Sequence, residues 1–161
     1  MRRRLSAFWL TFALLAGAPA FAQPAPGTTN GDVLHAAIEH CGPFAAAPTL
    51  PDGSLSTRGD MARGISTYNA WSRAQQTNLQ CRRTALAAFD TRTAELRAQV
   101  LAATNANNTA EAARLSADIS ASAGADAPIR TQYNTDANAY NTVAAAWQAS
   151  LNTYNARHPR N

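Results

Sequence analysis

The chain lacks the local motifs of the common catalytic classes. It contains no GxSxG turn and no phosphate-cradling glycine loop. No serine or cysteine stands in one of the usual sequence contexts of a nucleophile with its base. The nearest approach to a carboxylate pair is Asp90 with Glu95. A slim helical protein also has little room to enclose a substrate. We therefore expect no enzyme activity, no catalytic residues and no cofactor.

Histidine is scarce, with only three in the chain. His35 and Glu39 are one helical turn apart, and His40 precedes Cys41. A metal site built from them would need ligands from opposite sides of a short helix and would use a cysteine. We expect no metal site. His158 lies near the C-terminus, where it favours a helix end.

A long apolar run is also missing. The stretch "LSAFWLTFALLAGA" after "MRRR" is shorter than the roughly 20 residues that a membrane span needs. A basic start, a short apolar run and the small residues of Ala20-Phe21-Ala22 are typical of an export signal. No cysteine ends the run, which argues against a lipid anchor. We expect residues 1–22 to be a signal peptide cleaved near Ala22, a periplasmic or secreted product, and no stable membrane anchor after cleavage.

Lysine is absent, and all 14 basic residues are arginines, against 10 acidic residues. Three arginines lie within the predicted signal peptide, so 11 remain against 10 acidic residues and the mature net charge is +1. Strong nucleic-acid binding by a basic surface therefore loses its main support, although residues 57–103 keep a local charge of +4. We expect no nucleic-acid partner.

Only two cysteines are present, Cys41 and Cys81, and they do not form a CxxC motif. An even number of cysteines in an exported chain is typical of a structural disulfide, because the compartment is oxidising. We expect a Cys41–Cys81 disulfide.

Clusters of Pro, Gly and Asn, together with helix-capping residues, divide the chain into segments. Residues 23–31 are predicted to be a mobile lead rich in Pro, Gly and Thr. Residues 32–56 are predicted to hold a short helix, capped by Asp32, and a Pro/Gly linker. Residues 57–157 are predicted to form a helical domain, capped by Ser56 or Thr57 and turning at residues 104–109. Since its two halves match in length, we expect an all-α fold: a long, coiled-coil-like antiparallel hairpin whose second arm breaks or kinks near Pro128.

Heptad spacing predicts which residues face inward on the first arm. The seam contains Met61, Ile65, Tyr68, Ser72, Gln75, Leu79, Arg82, Leu86, Phe89, Thr93, Leu96 and Val100, with polar interruptions at 72, 75, 82 and 93. A second stripe contains Trp71, Ala74, Cys81, Ala85 and Ala88. The stripe is where the disulfide-tied N-terminal helix would dock, or alternatively where a second copy would bind.

All four tyrosines are followed by asparagine. In heptad register the tyrosines and Trp147 share one position, which defines a candidate aromatic seam of Tyr68, Tyr133, Tyr140, Trp147 and Tyr154. Tyrosine can bury its ring while its hydroxyl stays wet, and the flanking asparagine can bond across the seam. Helix packing is favoured over the rival interpretation, an aromatic ladder that binds a peptide or glycan.

Several short features together resemble a known group. Small exported bacterial proteins with no assigned function are similar in the combination of Cys41, Pro51-Asp52-Gly53, Met61, Tyr68-Asn69, Cys81 and a Tyr-Asn-rich last helix. The similarity covers most of the mature chain. It implies a disulfide-linked helical hairpin and supplies no activity.

Two classes of function fit these features. The first is a structural or protein-interaction module of the periplasm, which binds a protein partner through helix packing and possesses a seam that also allows a homo-oligomer. The second is a holdase-like periplasmic chaperone, for which the predicted elements include no strand-rich body. An envelope-glycan binder is a third alternative, resting on the aromatic seam.

Overall fold

The computed structural model describes residues 28–159 and consists of three helices. They are α1 (Asn30–His40), α2 (Arg58–Asn105) and α3 (Thr109–Arg157), and no strand occurs between residues 28 and 159. The prediction of an all-α fold is confirmed. The predicted signal peptide and most of the predicted lead lie outside the described residues.

Helix α1 is capped three residues earlier than predicted, at Thr29 instead of Asp32. Thr29 is its N-cap, and Asp32 occupies the third helical position of a reciprocal capping box rather than the cap itself. Tertiary contacts account for the earlier start. The side-chain amide of Asn30 donates to the Phe89 carbonyl and to Thr93 Oγ1. The backbone N–H of Asn30 donates to Asp118 Oδ1. Asn30 and Gly31, the last two residues of the predicted lead, therefore belong to helix α1.

Helix α2 begins where its cap predicts. Thr57 accepts a hydrogen bond from the Asp60 amide while the Asp60 carboxylate accepts one from Thr57, which completes a second capping box. The connection to α3 covers residues 106–108, inside the predicted turn. Asn108 caps α3, one residue before the predicted Thr109, and Asn107 takes a positive φ of 56°.

Helix α3 continues through Pro128, so of the predicted break or kink at residues 124–128 the break does not occur. Proline removes one backbone donor, but contacts before and after it hold the helix in place. Arg130 pairs with Asp126 on its own helix and with Asp90 on α2. Ile129 packs against the cluster around Leu34. These tertiary contacts outweigh the local preference for a break.

The central core forms where α1 meets both long helices. Leu34, Leu86 and Phe89 are buried together, and Ile38, Ala85, Ile129 and Tyr133 pack against them. The predicted seam of α2 is largely buried, including its polar members Ser72, Gln75 and Arg82. Ile65 is the exception, since it is 44% exposed. Of the second stripe, Trp71 is buried and Ala85 packs beneath α1, whereas Ala74 and Ala88 are exposed.

Within residues 28–159, no helix is both long enough and apolar enough to cross a membrane.

Candidate functional site

Three members of the predicted aromatic seam lie together. The Tyr68 ring centre is 5.7 Å from that of Trp147 and 6.1 Å from that of Trp71. Tyr140 stacks on Trp71 with ring centres 5.6 Å apart, and Phe44 meets Trp71 edge-on at 6.5 Å. We call these five residues the aromatic cluster. Trp71 and Phe44 join it although neither belongs to the predicted seam.

The other two members lie elsewhere. Tyr133 packs against the Leu34 core, and its hydroxyl accepts a hydrogen bond from Arg83 Nε at 3.3 Å. Tyr154 stacks on His158 at the end of α3, with ring centres 4.3 Å apart. The candidate seam is therefore distributed over three separate environments.

The aromatic cluster is an interior feature. Trp147 is 4% exposed and Trp71 is 8% exposed, while Tyr68 and Tyr140 are half-buried. The Tyr140 hydroxyl shares a hydrogen bond with Ser72 and accepts one from Gln76. The asparagines that follow the four tyrosines are exposed, and the hydroxyls of Tyr133 and Tyr140 bond to residues on α2 rather than to these asparagines.

A row of polar residues on α2 holds the segment between α1 and α2. Asn78 Nδ2 donates to the carbonyl oxygens of Cys41 and Gly42 at 2.8 and 3.0 Å, and Arg82 also donates to the Gly42 carbonyl. Gln75, only 2% exposed, accepts from the Ala45 amide at 3.3 Å. These contacts account for two of the four polar positions in the seam, Gln75 and Arg82.

Arg82 also forms a buried ion pair with α3. Its Nη1 lies 3.0 Å from Asp136 Oδ2, and the two side chains are 10% and 8% exposed. Gln132 donates to the other carboxylate oxygen of Asp136 at 2.8 Å. The pair and the Gly42 contact connect both long helices to the segment after α1. A pair this deeply buried needs both partners, because a lone charge there would be uncompensated.

The disulfide between Cys41 and Cys81 forms as predicted, with Cα atoms 5.7 Å apart. It joins the end of α1 to the middle of α2. Asn30 and Gly31 hold the other end of α1 through hydrogen bonds to α2 and α3. Helix α1 is thus fastened at both ends.

An open groove of about 850 Å³ lies between α1 and α2. Small and apolar side chains form most of its walls: Val33, Leu34, Ala37, Ala85, Ala88 and Phe89. His40 lies at one end, and Arg92 and Glu95 lie at the other. Arg92 is half-buried and forms no ion pair with any residue in the described part of the chain.

The groups considered for metal or acid–base chemistry do not converge. Within residues 28–159 no three His, Cys, Asp or Glu residues are grouped to hold a metal ion. Asp90 pairs with Arg130, whereas Glu95 lies at the α1–α2 groove. The lowered pKa values belong to helix caps and turns. Hydrogen bonds from the backbone and hydroxyl of Ser54, for example, lower the pKa of Asp52.

Sequence reasoning missed the Arg82–Asp136 pair and the role of Asn78. A signal for the pair was present, since an arginine at an apolar seam position requires an acidic partner on the facing helix. Asn78 lies one turn before Arg82 but outside the predicted seam, so its burial depends on the path of residues 42–51 and has no local signal.

No family model, no curated protein and no solved structure matches this chain.

Proposed function

We propose that this protein is an exported helical module that binds another protein, and that residues 1–22 direct its export to the periplasm or beyond. The observation that carries the proposal is the open apolar groove between α1 and α2. Groove-shaped apolar surfaces with polar ends are typical of sites that take an amphipathic helix. We assign the protein no catalytic activity, cofactor or nucleic-acid partner.

The proposed architecture is an antiparallel, coiled-coil-like hairpin of α2 and α3, with α1 as a short third member. Two cross-helix contacts support it: Tyr68 lies against Trp147, and Asp90 pairs with Arg130. Residue numbers therefore rise along α2 as they fall along α3. A kink in α3 near Pro128 stays part of the proposal, since Pro128 cannot donate to the carbonyl four residues earlier.

The proposed occupant of the groove is an amphipathic helix of a partner protein. Ala37, Ala85 and Ala88 are small, and such residues let a helix backbone approach closely. Arg92 has no ion pair among the described residues, so an acidic side chain on the incoming helix would complement it. The partner helix should be apolar at its centre and carry an acidic residue near one end.

Site-specific photocrosslinking in the producing cells tests this proposal. A photoreactive residue at Ala88 lies in the groove, whereas one at Ala94 is exposed on the same helix outside the groove. We expect a discrete crosslink from position 88 alone, mapping by mass spectrometry to an apolar helical segment with an acidic residue. A synthetic peptide of that segment should then bind the purified protein and lose affinity for the Ala88→Arg and Arg92→Glu variants. Equal crosslinking from both positions, or crosslinks to lipid or to a non-helical segment, would contradict the proposal.

The alternatives receive less support. A glycan binder requires accessible aromatic faces, but Trp71 and Trp147 are buried. A holdase-like chaperone requires an oligomeric body with spread arms, and sedimentation of the purified protein tests for one. The resemblance to exported helical-hairpin proteins and the option of a homo-oligomer stay predictions.

A further inference from the structure

The segment between α1 and α2 is irregular and contains three prolines. Residues 42–51 read "GPFAAAPTLP" and form neither helix nor strand. Proline restricts the backbone to the extended conformations that peptide ligands of aromatic grooves adopt. Residues 45–47 are exposed, so the segment lies on the surface and is not enclosed by the fold.

Contacts from α2 to this segment are made largely to its backbone. Gln75 and Trp71 bond the amide and carbonyl of Ala45, at 3.3 and 3.4 Å. Asn78 and Arg82 bond carbonyls nearer the disulfide. Trp71, Gln75, Asn78 and Arg82 follow each other at steps of four, three and four, which places them on one face of the helix. Backbone bonding of this kind tolerates many ligand sequences.

Side-chain contacts from the segment reach the aromatic cluster. Phe44 meets Trp71 edge-on. The Pro51 ring and the Trp147 ring both pack over Gly64. A Cβ added at Gly64 would lie only 2.6 Å from Pro51 Cγ and 2.9 Å from Trp147. Tyr68 stands between the two tryptophans. Phe44 of the segment thus contacts Trp71, and Pro51 packs against Gly64 near the Trp147 ring.

We propose that this face of α2 and α3 is a binding site for extended, proline-containing segments of other proteins, filled here by residues 42–51 of the same chain. Aromatic contacts to prolines combined with side-chain bonds to the ligand backbone are the recognition mode for polyproline-type peptides. Gln75 and Arg82 are buried, so an empty site would leave Gln75 Oε1 and Arg82 Nη2 without their backbone partners, while Arg82 Nη1 keeps its pair with Asp136. Exchange of one segment for another preserves those bonds, and the site therefore suits displacement by a partner. The inference is independent of the α1–α2 groove.

The internal segment acts as a competitor in this scheme. It is tethered at one end by the disulfide and at the other by α2, so its effective concentration is on the order of millimolar. A partner segment must bind more tightly, be presented at high local concentration, or act after the tether is loosened. Removing the internal segment should consequently unmask the site.

The experiment replaces residues 43–51 with a Gly/Ser sequence of equal length in the oxidised full chain. The probe is a fluorescent peptide of residues 42–51, and binding is measured by anisotropy. We expect saturable binding to the replaced variant with an affinity at least about tenfold above that for the unaltered protein, where the internal segment competes. Adding Gln75→Ala should weaken binding about 2- to 10-fold, the effect of losing one hydrogen bond. Gln80→Ala, the same substitution at an exposed position on α2, should not change it.

Peptide variants test the ligand class. A peptide with its three prolines changed to alanine should bind more weakly, because it is less pre-organised. An unrelated peptide that keeps the phenylalanine and prolines at the same spacing should bind within about tenfold of the native one. If only the native peptide binds, the site is specific for residues 42–51 of this chain, and the proposal fails. It fails equally if the replaced variant loses its helical circular dichroism, or stays helical and binds no peptide.

Discussion

Removing the Asp136 carboxylate should destabilise the protein more than any exposed charge change. In Asp136→Ala the Arg82 guanidinium stays buried and loses the one ionic partner it has within residues 28–159, while its bond to the Gly42 carbonyl remains. Removing one partner of a buried ion pair lowers the free energy of unfolding by about 3–5 kcal/mol. The side chains are 10% and 8% exposed, so water can offset little of that cost.

Urea unfolding followed by circular dichroism measures the effect with the disulfide intact. At a slope of about 2 kcal/mol per molar urea, the midpoint should fall by about 1.5–2.5 M. Asp90→Ala is the matched control, because it removes a carboxylate from a pair that is 38% and 60% exposed. We expect the control to cost less than about 1 kcal/mol.

Replacing both members of the pair tests whether the cost comes from the unpaired charge that Asp136→Ala leaves behind. Since burial of both charges is itself costly, Arg82→Met with Asp136→Leu should recover most of the loss seen with Asp136→Ala. An Asp136→Ala variant that loses no more stability than Asp90→Ala would show that the pair contributes no more than an exposed one. A double replacement less stable than Asp136→Ala would show that burial of the lone Arg82 charge is not the source of the cost.

Three further predictions concern packing, the disulfide and pH. Gly64→Ala should destabilise by about 1–3 kcal/mol in thermal melts, because its Cβ would overlap Pro51, whereas Gly124→Ala, with nothing within 4 Å, should stabilise α3 by about 1 kcal/mol. Reducing the disulfide, which spans 40 residues, should lower the free energy of unfolding by about 4 kcal/mol in the loop-entropy treatment, and unchanged stability would contradict it. The side chain and backbone of Thr57 hold the pKa of Asp60 below its ordinary value of 3.8, so this carboxylate's contribution is present above that pH and is lost as pH falls through the lowered pKa. Melts between about pH 5 and 2 should show that loss reduced in Thr57→Ala, which also removes an N-cap worth about 1 kcal/mol.

The fold class and the cross-link were predictable because their signals are local or countable. Capping residues and heptad spacing act within one or two turns of helix, so Thr57 marks the start of α2 as predicted. Two cysteines in a chain predicted to be exported allow one intramolecular pairing, and it is the one found.

Where the sequence predictions failed, a distant contact outweighed a local preference. Asn30 and Gly31 join α1 because they bond residues on the other helices. The helix continues through Pro128 because Ile129 and Arg130 are held from outside. No local sequence pattern indicates either of these contacts.

The candidate site shows the same division. Tyrosine periodicity determined that these rings face inward or lie at the edge of a helix pair, since position on a helix follows directly from spacing. Only the tertiary structure decided that Tyr68 and Tyr140 contact Trp71 while Trp147 contacts Tyr68. It also decided that Tyr133 and Tyr154 lie elsewhere and that Arg82 pairs with Asp136. The path of residues 42–51 belongs to this second group. An irregular segment has no periodicity of its own, and its position is set by side chains on α2 that become its hydrogen-bond partners only in the folded chain.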